Sequence, residues 1–272
     1  MNTDKISQMI LQKAGIDAMP EDSGIIIPGG NIKKIFAGID MGTPELLLAK
    51  DLGADLVISH HPQTGAPDVN FHRVMVRQID KMVSAGVPIN RAQKALREQM
   101  AKVERAHHPG NYDRAASAAR LLNLPYMNLH LPVDILTENV VQNHLDKKLA
   151  GNPKATLKEV LAALEEIQEY ARAEAKPVIR VGSEADYAGK VLVLMAGGTN
   201  GGEQVFKAYF DAGVGTIVCM HIPEDVRKAA IEQNIGNVIV AGHMASDSIG
   251  MNMLCDALKD MGAEVVRMGG II

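Results

Sequence analysis

Histidines and aspartates give this sequence its chemistry. Six of the nine histidines stand in patterns. Two runs read His-His-Pro, at His60-His61-Pro62 and His107-His108-Pro109, and two pairs read His-x-x-x-Asp, at His130/Asp134 and His243/Asp247. Imidazole nitrogens mixed with carboxylate oxygens suit Zn²⁺, Fe²⁺, Mn²⁺ or Co²⁺, whereas all-oxygen sites suit Mg²⁺ or Ca²⁺. A His and an Asp four residues apart at a helix entrance point to one side. Two successive histidines on a strand point opposite ways, so His60 and His61, at a strand end turned by Pro62, serve two neighbouring ions more easily than one. A carboxylate can bridge such ions. The pattern predicts a dinuclear site of His60, His61, Asp134, His243 and Asp247. Each pattern alone is a weak signal, because Asp is a common helix cap; the two His-x-x-x-Asp pairs and the His-His together carry the expectation.

The elements that must position these groups are written twice. Ile35 to Pro62 and Val193 to Pro223 both run strand, Gly-containing turn, helix, Gly, buried strand, histidine. Aligning them sets Gly38 on Gly198, Gly53 on Gly213 and His61 on His221. A second match sets His130 on His243 and Asp134 on Asp247, each pair followed by a helix expected over Ile135–Leu149 or Ser248–Met261. Runs such as Leu56-Val57-Ile58 and Val238-Ile239-Val240 are continuously apolar, as in strands covered on both faces. The alternation of strand and helix predicts an α/β fold of two similar halves from an internal duplication, with ligands gathered at the carboxyl ends of parallel strands. Residues 1–150 are read as the first α/β half, carrying a helical insertion over 70–123; residues 151–185 as a helical bridge, with one amphipathic helix over Thr156–Ala175; residues 186–272 as the second half.

Composition narrows the partners. Lys and Arg number 28 against 32 Asp and Glu, a net charge of −4 with no long run of one sign, which argues against nucleic acid or a membrane surface as a partner. Trp is absent and aromatics make up 3%, too few for a base-stacking platform. Two cysteines, Cys219 and Cys255, make neither a disulfide framework nor a Cys-rich zinc site. The N-terminal residues open an amphipathic helix rather than a signal peptide, and no apolar run approaches a membrane span, so a cytoplasmic protein is expected.

Two further motifs have two readings each. His107-His108 ends a basic helix bearing Arg91, Lys94, Arg97, Lys102 and Arg105, either as a solvated helix end or as a lid bringing cations to an anionic substrate. The glycine-rich turn Met195–Glu203 either holds an anion on its backbone N–H groups or is a tight turn; it lacks the Lys-Ser/Thr of a P-loop. His221 has no His neighbour and is read as structural.

The segments GIDMGTPELLLAKDLGADLVISHHP, NLHLPVD and AGHMASD resemble the Nif-three-like family, whose members are often labelled GTP cyclohydrolase I type 2. The resemblance implies two intertwined similar α/β domains, a dinuclear metal centre between them and a ring-shaped hexamer. By motif it assigns the metal to His60, His61, Asp134, His243 and Asp247, the same five. The family label implies a metal-dependent hydrolase acting on a small, nucleotide-like and anionic substrate, with two divalent ions (Zn, Fe, Mn or Co). His130 would then act as general base or orient Asp134. The alternative is a non-catalytic metal-binding, delivery or regulatory module. The chain departs from the family in Asp247, where Glu is usual, in Leu131, where Thr is usual, and in the longer stretch Asn70–Asn123.

Overall fold

The structure is a computed structural model and describes residues 1–272. In chain order it begins α1 (Thr3–Ala14), β1 (Gly24–Ile27), β2 (Lys34–Gly38), α2 (Thr43–Asp51), β3 (Leu56–Ser59) and α3 (Gly65–Val69). A 3-10 turn (Phe71–Val76) leads to α4 (Arg77–Ala85), α5 (Ile89–His107), α6 (Arg114–Leu121), β4 (Tyr126–Asn128) and α7 (Leu131–Leu149). Then come α8 (Leu157–Glu165), α9 (Gln168–Arg172), β5 (Val178–Val181), β6 (Lys190–Leu194), α10 (Glu203–Asp211) and β7 (Val214–Cys219). The chain closes with α11 (Glu224–Gln233), β8 (Asn237–Val240), α12 (His243–Asp260) and β9 (Glu264–Met268). No helix is long and apolar enough to cross a membrane.

The strands form two mixed sheets, one ordered β1-β4-β3-β2-β9 and the other β5-β8-β7-β6. In each, the first strand runs antiparallel to its neighbour and the rest are parallel. The α/β fold class read from the alternation is the one observed. The chain divides into two compact units that interleave: residues 1–74, 103–136 and 247–271 make the first, and residues 75–102 and 137–246 with Ile272 the second. The division falls in the 3-10 turn after Val74 and inside three helices: α5 after Lys102, α7 after Leu136 and α12 before Asp247. Residues 150 and 185, the expected boundaries, both lie within the second unit, while β9, expected in the second half, pairs with β2 in the first sheet.

The first unit shows why its strands read as unbroken apolar runs. Alternate residues serve opposite faces: Ile35, Ala37, Leu56, Ile58, Met127 and Leu129 share one core with Ile6 and Ile10 of α1 and Met251, Leu254 and Leu258 of α12. Phe36, Val57 and Tyr126 share another with Leu46 and Ala49 of α2 and Ala115 and Ala119 of α6. Each large apolar side chain buried in this way contributes about 1.5–3 kcal/mol, which leaves the strand ends able to carry polar groups.

In the second unit, α10 buries Val205, Phe206, Tyr209 and Phe210. A Cβ on Gly236 would lie 2.2 Å from the Phe210 ring, so only glycine fits there. Glu138, 4% exposed, accepts from the N–H groups of Met195 (2.9 Å) and Ala196 (3.0 Å) and from Lys81 Nζ (2.8 Å). Gln78 Nε2 donates to the carbonyls of Gly197 (2.7 Å) and Thr199 (2.6 Å). The glycine-rich turn is thus pinned by protein side chains on both sides. The single helix expected over Thr156–Ala175 is instead two, because Ile167 is extended (φ −77°, ψ 126°). The break turns Tyr170 into the core, where its hydroxyl meets Ser246 Oγ at 3.0 Å.

Candidate metal centre

The strand ladder carries the His-His pair past the end of β3. The His60 N–H donates to Gly38 O and that of His61 to Ile39 O, both at 2.9 Å. The close approach requires Gly38, where a Cβ would lie 2.5 Å from Met41 Sδ and 2.8 Å from the Met268 carbonyl. The buried Ser59 hydroxyl ties the turn, donating to His61 O (2.8 Å) and accepting from the Met41 N–H (3.2 Å). His130 caps α7 through its carbonyl, which accepts from the Asp134 N–H at 3.1 Å. His243 opens α12 after Gly242 (φ 103°), and Asp247 stands one turn on. Both helices begin earlier than Ile135 and Ser248, the starts expected from the sequence, because Pro132 suits a first turn and Gly242 provides the entry. Each His-x-x-x-Asp pair consequently spans a helix entrance.

His60 is fully buried, and its Nδ1 lies 3.0 Å from the Leu129 carbonyl. A carbonyl only accepts, so the neutral ring carries its hydrogen on Nδ1 and a lone pair on Nε2. That Nε2 lies 3.3 Å from Asp134 Oδ1 and 3.5 Å from Asp247 Oδ1. Neither His60 Nε2 nor Asp134 Oδ1 has a hydrogen-bond partner. A lone pair facing two buried carboxylates is repelled unless a cation or a proton lies among them. Burial opposes a charge on His60, but Asp247 and Asp134 outweigh it and raise the imidazole pKa well above its ordinary value.

His61 has Nδ1 2.9 Å from Asp40 Oδ1 and Nε2 3.2 Å from Asp247 Oδ2. Against the opposing effect of burial, these two carboxylates raise its pKa. The hydrogen bond from His61 is in turn the main reason that the Asp40 carboxyl titrates below its usual range. His130 Nδ1 lies 2.7 Å from Asp22 Oδ2 and 3.6 Å from Asp134 Oδ2. Its ring stacks on that of His60, with centroids 4.8 Å apart, and Phe71 covers it at 5.2 Å. One ligand atom each from His60, Asp134 and Asp247 lie within 4.8 Å of one another, as do ring nitrogens of His60, His61 and His130. A mixed nitrogen and carboxylate donor set, in which His60 Nε2 and Asp134 Oδ1 have no hydrogen-bond partner, fits a transition-metal ion.

His60, His61, His130, Asp134 and Asp247 are brought together within the first unit. His243 lies in the second, on the opening turn of α12. Asp22 and Asp40 belong to the cluster and were not read from the sequence; no local spacing links either to its histidine. His107, the last residue of α5, places Nδ1 3.0 Å from Asp68 Oδ1 and stacks on Phe71. The His221 ring lies 5.0 Å from that of His243, both in the second unit.

A solved structure of a NIF3 superfamily protein from Sphaerobacter thermophilus is similar to this chain at 35% identity, covering 99% of this chain and 98% of that one, with a TM-score of 0.96. The chain belongs to the NIF3 superfamily. The Nif-three-like resemblance carried by the His-His-Pro, NLHLPVD and AGHMASD segments is therefore that of the whole fold. Reduced HcgD from Methanocaldococcus jannaschii shares the NIF3 fold at 17% identity and a TM-score of 0.62, covering 98% of this chain and 97% of its own. TTHA1606 from Thermus thermophilus does so at 17% identity and a TM-score of 0.59, with the same coverages. No protein-family model and no curated protein matches the chain.

Proposed function

We propose that this NIF3 superfamily protein holds two divalent transition-metal ions and uses them to hydrolyse a small anionic substrate. The observation that carries the reading is His60 Nε2, a buried lone pair set 3.3 and 3.5 Å from the carboxylates of Asp134 and Asp247. The ligands are His60, His61, Asp134, His243 and Asp247. Asp247 directs one oxygen at His60 and the other at His61, which suits a bridging carboxylate. His243 joins the set because it precedes Asp247 by four residues on α12, on the same side of the helix. The Leu129 carbonyl behind His60 and Asp40 behind His61 hold the two rings with Nε2 inward. Bound there, a pair of ions supplies a water of lowered pKa and polarises the substrate.

The family resemblance extends the proposal to nucleotides, GTP first, as substrates to test, and to a homohexamer. Leu47 and Leu48 of α2, Leu52 just after it and Leu121 of α6 are exposed apolar groups available for subunit contacts. Metal analysis by mass spectrometry on untreated protein, followed by a hydrolase substrate panel, tests the reading. Bound metal with turnover supports it. Absence of metal, with none taken up from micromolar Zn²⁺ or Mn²⁺, overturns it. Metal that is present, inert towards every substrate and readily lost to a chelator favours a delivery module instead. Light scattering at the monomer mass of 29.2 kDa would remove the hexamer.

A further inference from the structure

The sequence leaves His130 two roles, general base or orienter of Asp134, and its contacts point to a third. Asp22, in the turn ahead of β1, is fully buried. Its Oδ1 accepts from Ser23 Oγ (3.1 Å), its backbone carbonyl accepts from Asn128 Nδ2 (2.6 Å), and its Oδ2 lies 2.7 Å from His130 Nδ1. Ser23 Oγ in turn accepts from the His130 N–H at 2.9 Å, so Asp22 and its neighbour hold both the backbone and the ring of this histidine. An ionised carboxylate only accepts, which puts the ring hydrogen on Nδ1 and the lone pair on Nε2.

The same device occurs three times in the cluster. Leu129 O secures Nδ1 of His60, Asp40 that of His61 and Asp22 that of His130. Each ring is left with Nε2 as its binding nitrogen, and one nitrogen of each ring, Nδ1 or Nε2, lies within 4.8 Å of the others. Two imidazole nitrogens on one zinc, each about 2.0–2.1 Å from it, are at most roughly 4 Å apart. The His130 ring, stacked on that of His60 with centroids 4.8 Å apart, thus stands beside the same cation position. A general base must also pass its proton on, whereas His130 is 6% exposed and lies against the rings of His60 and Phe71.

We infer that His130 is a metal ligand through Nε2, and that Asp22 is the positioning residue that selects this nitrogen. The inference rests on the metal-centre reading above and adds to it a third imidazole with its own buried carboxylate. Asp22→Asn tests the positioning role with little change of shape. The amide N–H₂ would face Nδ1 and favour the tautomer that carries its hydrogen on Nε2, which cannot bind a cation. Titration calorimetry with Zn²⁺ alone is expected to show a 10–100-fold loss of affinity in this variant, and the visible spectrum of Co²⁺-loaded protein is expected to change. His130→Phe keeps a ring against His60 and removes both nitrogens; it is expected to give at least as large a loss.

In the wild type, labelled with ¹⁵N-histidine and loaded with ¹¹³Cd²⁺, His130 Nε2 is expected to couple to the metal. This measurement decides the matter should either variant fail to fold. Wild-type zinc affinity and an unchanged cobalt spectrum in both variants would overturn the inference while leaving the metal centre standing, as would cadmium coupling to His60 and His61 without His130. Wild-type protein that binds none of the three ions would remove the metal centre itself, and this inference with it.

Discussion

The four strands of the second sheet repeat the order of β1-β4-β3-β2 in the first, to which β9 is added, and the two differ in what stands at the strand ends. In the first, β3 runs into His60 and His61; in the second, β7 runs into Met220 and His221. The buried carboxylates differ in the same sense. Glu138 of the second unit has two backbone N–H groups and the Lys81 ammonium, a closed network. In the first unit, His60 Nε2 and Asp134 Oδ1 face each other at 3.3 Å without a hydrogen bond. A buried polar group without a partner costs roughly 1–3 kcal/mol. Similar sheets therefore carry one arrangement that closes its own hydrogen bonds and one that could hold a metal ion.

The contrast breaks or holds most sharply in His60→Ala combined with Asp134→Ala. Metal content is expected to fall to background by mass spectrometry while the protein still folds, with some loss of melting temperature because two buried side chains and the hydrogen bond to the Leu129 carbonyl are removed. Retained metal would show that these atoms are not the ligands. Glu138→Ala should do the opposite. Two buried N–H groups lose their acceptor, and about 3 kcal/mol of stability is expected to go, lowering the melting temperature by roughly 6–12 °C with metal content intact. An unchanged melting curve would mean that the Glu138 network contributes nothing.

Asp247 sharpens the comparison at its departure from the family. Its oxygens already reach both His60 and His61, so Asp247→Glu would add a methylene to a filled space and is expected to weaken the second ion about tenfold, or 1.4 kcal/mol. Asp247→Asn loses the charge and is expected to weaken binding further. Tighter binding in the Glu variant, measured by metal titration, would mean that Asp247 holds only one ion.

The smallest effect concerns one buried thiol in each unit. Burial pushes Cys219 up to about 12 and Cys255 up to about 11, so both stay protonated at pH 8. Neither is expected to react with iodoacetamide in the native protein, and both should react in denaturant. In the unfolded chain they ionise near their ordinary pKa of about 8.5; their contribution to stability is complete below that pH and declines as pH rises above it. Fast native labelling of one cysteine alone would identify its unit as the first to open.

Several parts of this arrangement were legible because they are local. The buried strand before His60 shows in the unbroken run Leu56-Val57-Ile58, and the His/Asp spacing survives as a helix entrance. Asp22 and Asp40 were not legible, because their histidines lie 108 and 21 residues away and no periodicity joins them. The pairing of β9 with β2 was hidden for the same reason: strand partners are chosen by packing, and a short amphipathic strand near the end of the sequence does not name its neighbour. Ile167 escaped notice because apolar residues on both sides of it continue the helical spacing while the backbone between them turns out of the helix.

The place of β9 also sets a timetable. The first sheet begins with strands made early, yet the far side of β2 stays unpaired until residues 264–268 exist, roughly two hundred residues later. At about 5–20 residues per second, a ribosome needs on the order of 10–40 s to cover that distance. Throughout it, the nascent chain displays an open strand edge together with apolar surface awaiting Met251, Leu254 and Leu258. Asp247 emerges in the same late stretch. The unit begun first thus stays incomplete until residues 264–268 have been made, and its cluster of histidines and aspartates waits on Asp247 in the same late stretch.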